Sequence, residues 1–182
     1  MPAPRWRYVF LINTMRRRST RSEKGVLEER NKELAAYHEA GHAVVAHALG
    51  VEVEGVYIVQ DQGSSGHTTT PRPDNVDSSD EEARADLEKH LITGVAGAAS
   101  EELLTEELSE LPGKDMAGVA KLLMGLEDAG ALVQADSEAA LDEAKSILRD
   151  NWDSVQALVE ALLEHEELDR EGVLAVLEKS GR

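Results

Sequence analysis

Residues 27–49 contain no proline, carry apolar side chains at helical spacing, and meet Gly50 where a helix would close in a left-handed cap. A helix of that length and character has to be covered on its apolar side, so the rest of the chain must supply the cover. Most of the residues C-terminal to it can do so. With 182 residues there is material for one hydrophobic core, and with only five prolines spread along them helix meets few interruptions. The chain leans on Ala, Leu and Glu and has few aromatics, which predicts a mainly α fold.

The segment 51–60 (VEVEGVYIVQ) interrupts the helical pattern. Its alternation of Val51, Val53, Tyr57 and Val59 with polar positions predicts a strand, bent or bulged near Gly55. After turn residues, His67 to Thr70 suit a short edge strand, closed by Pro71 and Pro73. The expected sheet is small, of two or three strands. Ser79 and Glu82 have the spacing of a capping box, opening a helix that runs to Glu101, Glu102 and Leu103. Gly94, Ala96, Gly97, Ala98 and Ala99 would let another helix approach closely, and the helix of residues 27–49 is the expected neighbour. Beyond Pro112 and Gly113, a helix with Asp115 in its first turn carries Met116, Val119, Leu122, Leu123 and Leu126 toward one face. Helices at about 137–149 and 152–166 come next, and Asp169 caps a last short one.

Charge divides the chain. Residues 1–24 hold seven Arg and Lys against the single acid Glu23, and the remainder is strongly acidic within an overall net charge of −17. We read residues 1–24 as a basic, disordered N-terminal extension and 25–182 as one helical domain. The acidic body argues against nucleic-acid binding. No apolar run approaches the ~20 residues of a membrane helix. Absence of cysteine excludes disulfides and thiolate metal sites and fits a cytoplasmic location.

On the first helix, His38 and His42 lie four residues apart and project from one face, so both imidazoles can reach one ion. Glu39 sits beside them, placed to take a proton from an activated water. This is the HExxH arrangement of zinc peptidases. A catalytic Zn2+ needs a third protein ligand. Asp115 is one candidate, though helix capping alone would explain it; Glu101 and Glu102 are rivals, or could orient a ligating histidine from behind. Gly41, in mid-helix, points to a close approach of backbone or substrate. His47, His90 and His165 read as structural or exposed.

The stretch AAYHEAGHAVVAHALG (35–50) resembles the peptidase domain of the FtsH-type ATP-dependent metalloproteases, as do ITGVAGAASEELL (92–104), LPGKDMAGVAKLL (111–123) and the closing helices of 144–178. The resemblance implies a zinc endopeptidase in which His38, His42 and Asp115 hold the metal and Glu39 is the general base. It also implies that Gly66, His67 and Thr68, similar to the family's Gly-Tyr-Thr segment, bind substrate as an added strand. Lys114 stands where the family has Asn before the ligand Asp. The family's phosphate loop and membrane segments have no counterpart in these residues, so the expectation is an ATP-independent, stand-alone peptidase domain. Its substrates would be peptides or loosely folded proteins, with any unfoldase encoded separately. Hexamer assembly is not assumed, because the region between Asp115 and the closing helices is much shorter than in the family, and the oligomeric state stays open. The alternative is a catalytically inactive relative that binds peptides or a partner.

Overall fold

The computed structural model describes residues 23–58, 66–70, 81–106, 113–128 and 133–181. The chain divides into two units, Met1–Arg30 and Asn31–Arg182. Expectations for the basic head up to residue 22, for Val59, for Pro71 and Pro73 and for Ser79 fall outside the described residues.

Six helices and three short strands make up the described chain: α1 (Glu23–Leu49), β1 (Gly55–Tyr57), β2 (His67–Thr69), α2 (Glu81–Thr105), α3 (Gly113–Asp128), α4 (Val133–Asp150), α5 (Trp152–His165), β3 (Glu167–Asp169) and α6 (Arg170–Ser180). The fold is mainly α with a small antiparallel sheet. Gly50 closes α1 with φ +73°, in the left-handed region expected of it. Every residue of α1 from Ala35 to Ala46 is buried. A helix enclosed on all sides must be built largely of apolar and small residues, and this one is: Ala35, Ala36, Ala40, Ala43, Val44, Val45 and Ala46. His38, Glu39 and His42 are the polar exceptions.

Small residues set the spacing between α1 and α2. A Cβ on Gly41 would lie 2.6 Å from the Cβ of Ser100 and 2.7 Å from the carbonyl oxygen of Ala96. The Gly- and Ala-rich part of α2 therefore packs on the His38 helix, as expected, and Gly41 marks a close backbone approach. Ser100, fully buried, donates its hydroxyl to the Tyr37 carbonyl at 2.8 Å. Farther along the chain the core includes Leu148 of α4, Val155, Leu158 and Leu162 of α5, and Val173 of α6, all without measurable exposure. Each such side chain contributes about 1.5–3 kcal/mol by leaving water.

The sheet has the order β2-β1-β3, with both pairings antiparallel. Thr68, Val56 and Leu168 stand in register across it and form its buried row. The alternation along 51–58 slips by one residue: Val51 and Val53 are buried, then Val56 and Ile58. Tyr57, read as an inward residue, is only half-buried, because the change of phase falls at Glu54 and Gly55, where the bend was expected. Strand β3 follows directly on α5, which ends with Glu166 at φ +64° and its N–H bonded to Leu162 O at 2.8 Å. Asp169 then caps α6, accepting from the Gly172 N–H at 2.8 Å. No helix among the described residues is long and apolar enough to cross a membrane.

Candidate metal centre

His38 and His42 face the same side of α1, and their Nε2 atoms lie 3.1 Å apart with the rings edge to face. Asp115 enters from the first turn of α3, with Oδ2 at 2.8 Å from His38 Nε2 and 3.7 Å from His42 Nε2. The outer nitrogens of both rings are engaged. His42 Nδ1 lies 2.7 Å from the carbonyl oxygen of Thr93, which can only accept, so His42 carries its proton on Nδ1. His38 Nδ1 lies 2.6 Å from Glu101 Oε1, which fixes that ring in the same way. The two Nε2 atoms and a carboxylate oxygen therefore converge, an arrangement that a cation between them would satisfy.

The electrostatics agree. Burial alone would pull the pKa of His38 down, but hydrogen bonds from its ring to Asp115 and Glu101, with the nearby charge of Glu39, raise it to about 9. Asp115 is partly desolvated, which pushes its carboxyl up, yet the hydrogen bonds and charges of His38 and His42 hold it well below the usual carboxylate range. A proton or a metal ion would satisfy the same three atoms. Their separations of 2.8, 3.1 and 3.7 Å bracket the ~3.4 Å edge of a tetrahedron with bonds of about 2.1 Å, so His38, His42 and Asp115 could hold a metal ion.

The His38 ring fits because α2 carries glycine opposite it. A Cβ on Gly97 would sit 2.4 Å from His38 Nε2 and 2.5 Å from Cε1. The adjacent pair Glu101 and Glu102 divides: Glu101 reaches His38, whereas Glu102 turns to α4 and pairs with Lys145 at 2.9 Å. Because Glu101 meets the outer nitrogen of the ring, it stands behind His38, away from the convergence point.

Glu39, buried, accepts the Thr68 hydroxyl at Oε2 over 2.7 Å. Gly66 lies against the same side chain. Thr68 is inward on β2 while His67 is exposed, and Tyr57 meets the His67 ring edge to face across the strands. A cleft opens beside the convergence point, lined by Glu39, His42 and Asp115 together with His67, Thr68 and Thr70. The buried His90 also lines it. The contribution of the Thr93 carbonyl carried no recognisable signal in the sequence, whereas Gly97 is one of the small residues expected to face the first helix.

The family model of peptidase family M41 matches residues 25–126, which include every residue of this centre. The human ATP-dependent zinc metalloprotease YME1L1 is 25% identical over 183 residues, covering 84% of this chain and 23% of that protein. ATP-dependent zinc metalloprotease FtsH 2 of Conexibacter woesei is 27% identical over 200 residues, covering 86% of this chain and 28% of its own length. FtsH of Leuconostoc mesenteroides is 28% identical over 187 residues, covering 81% and 26%. The chain thus spans about a quarter of the length of these curated relatives. With the match extending over more than half of its residues, the chain belongs to peptidase family M41.

Proposed function

We propose that the chain is a zinc-dependent endopeptidase acting on peptides or loosely folded proteins. The observation that carries this reading is the meeting of His38 Nε2, His42 Nε2 and Asp115 Oδ2 beside the carboxylate of Glu39, in a cleft edged by β2. His38, His42 and Asp115 would hold the zinc, which when bound lowers the pKa of a water and polarises the carbonyl to be cut. Glu101 and the Thr93 carbonyl, by engaging the outer nitrogens, keep both Nε2 lone pairs aimed inward.

Glu39 takes the proton of the attacking water and returns it to the departing amine. Its side chain is buried beside the ligands and lines the cleft. An extended peptide would pair with the backbone of β2, one of the two edge strands among the described residues, and such pairing tolerates many sequences. Gly66, His67 and Thr68 belong to that strand or its start, and the exposed His67 is the one whose side chain can meet substrate. Folded substrates would first have to be unfolded.

Glu39→Gln tests the reading. The variant is expected to bind about one zinc per chain, as the wild type does, while cleavage of a flexible fluorogenic peptide falls by ~10²–10⁴-fold. Equal rates for variant and wild type would remove Glu39 from the chemistry. A wild-type chain that binds zinc and cuts none of a broad peptide library would instead identify a binding module.

A further inference from the structure

Of the three residues that the resemblance assigns to substrate, Gly66, just before β2, and Thr68, within it, both lie against the side chain of Glu39. Thr68 is buried and is the polar member of the inward row Thr68, Val56, Leu168. Its hydroxyl lies 2.7 Å from Glu39 Oε2 and 3.0 Å from the Glu39 carbonyl oxygen. That carbonyl already has the helical N–H four residues on, and the carboxylate is both closer and the stronger acceptor, so the single hydroxyl proton goes to Oε2. Gly66 closes the other side: a Cβ there would lie 2.6 Å from Glu39 Cγ, 2.8 Å from Oε1 and 2.8 Å from the Tyr57 carbonyl oxygen. Only a residue without a side chain leaves the carboxylate this position. The Glu39 side chain also lines the cleft.

We propose that Gly66 and Thr68 form a seat that positions the Glu39 carboxylate, one oxygen tied to the Thr68 hydroxyl and the other presented to the cleft. Thr68 is thereby a positioning residue, acting through Glu39, and not a substrate contact. Strand β2 then has two sides of use: its outer edge pairs with no other strand among the described residues, and its inner face holds the base. A substrate that pairs with β2 docks on the element that sets Glu39. The inference rests on the reading of Glu39 as general base, but the seat itself is testable without catalysis.

The test uses the full chain as wild type, Thr68→Val, Thr68→Ser and Gly66→Ala. In the zinc-loaded proteins, Thr68→Val is expected to lower kcat on a flexible peptide by ~10–100-fold with KM within about twofold, the cost of letting a catalytic group drift by about 1 Å. Thr68→Ser, which keeps the hydroxyl, should stay within about threefold of wild type. Gly66→Ala should fall with Thr68→Val. A rise in KM at unchanged kcat in Thr68→Val would make Thr68 a substrate contact and overturn the proposal. The second readout is the side-chain carboxyl resonance of Glu39 in ¹³C-labelled, metal-free protein, assigned with Glu39→Gln. It should move in Thr68→Val and return to the wild-type position in Thr68→Ser. An unmoved resonance overturns the seat whatever the activities. A moved resonance in a chain that cuts nothing supports the seat while refuting the peptidase reading.

Discussion

Replacing Gly97 with alanine adds one methyl group at the point where α2 meets the His38 ring. The new Cβ would sit 2.4 Å from Nε2, 2.5 Å from Cε1 and 2.6 Å from Cδ2, whereas ordinary van der Waals contact begins near 3.4 Å. About 1 Å has to be found. The ring cannot rotate in place to provide it, because Nδ1 is tied to Glu101 and Nε2 to Asp115. Either α2 backs away from α1, against the contact of Gly41 with Ser100 and Ala96, or the ring leaves its place. The first route costs about 1–3 kcal/mol of stability, as overpacking in a core usually does. The second displaces a ligand by several times the ~0.2 Å that a metal site tolerates. Since disturbing the support of a ligating histidine typically costs 10–100-fold in metal affinity, Gly97→Ala is expected to weaken zinc binding by at least that factor. Competition with a chromophoric chelator gives the affinity, and urea unfolding of the same metal-free protein gives the stability. Wild-type zinc affinity together with wild-type stability would refute the packing described for His38.

The neighbouring glutamates should behave differently. Glu101→Ala is expected to lower zinc affinity by about 10–100-fold by freeing the outer nitrogen of His38, and Glu102→Ala to leave it within about threefold, since Glu102 pairs with Lys145; equal losses in a chelator competition would contradict the division between them. The metal-free chain should be most stable in mildly acidic solution. The raised pKa of His38 contributes stability that is complete below its ordinary value of 6.5 and lost as pH rises through about 9. The depressed pKa of Asp115 contributes stability present above its ordinary value of 3.8 and lost as pH falls toward its lowered one. Urea midpoints measured from pH 3 to 10 should therefore peak between about 4 and 6.5. Zinc has to displace the His38 proton, so calorimetry near pH 7 in two buffers of different protonation enthalpy should register close to one proton released per ion; buffer-independent heats would refute the assignment.

The helices were legible because their signals are local. Apolar spacing and the Gly50 cap mark the end of α1, and Asp169 marks the start of α6, each within a few residues of chain. Strand β3 was not, since three residues between a helix end and a helix cap have no period to display, and its pairing with β1 is made across more than a hundred positions. The α4 start at Val133 precedes the expected 137, because Asp136 and Ser137 look like a helix start by residue type alone. At the site, His38 and His42 were readable as a pair since both sit on one helix. The approach of Asp115 spans 77 positions and has no local cause. Glu101 and Glu102 are chemically identical neighbours whose different directions depend on the helices facing them. The inward position of Thr68 follows from strand alternation with His67 outside, but its meeting with Glu39 depends on how β2 lies over α1.

A crystal structure of the zinc-loaded chain, with anomalous data collected on both sides of the zinc edge, tests the central claim most directly. One strong peak is expected at the convergence point, about 2.0–2.2 Å from His38 Nε2, His42 Nε2 and Asp115 Oδ2, with Glu101 still on His38 Nδ1. A peak ligated by Glu101 or Glu102 in place of Asp115, or none at this point in protein carrying zinc, would contradict it.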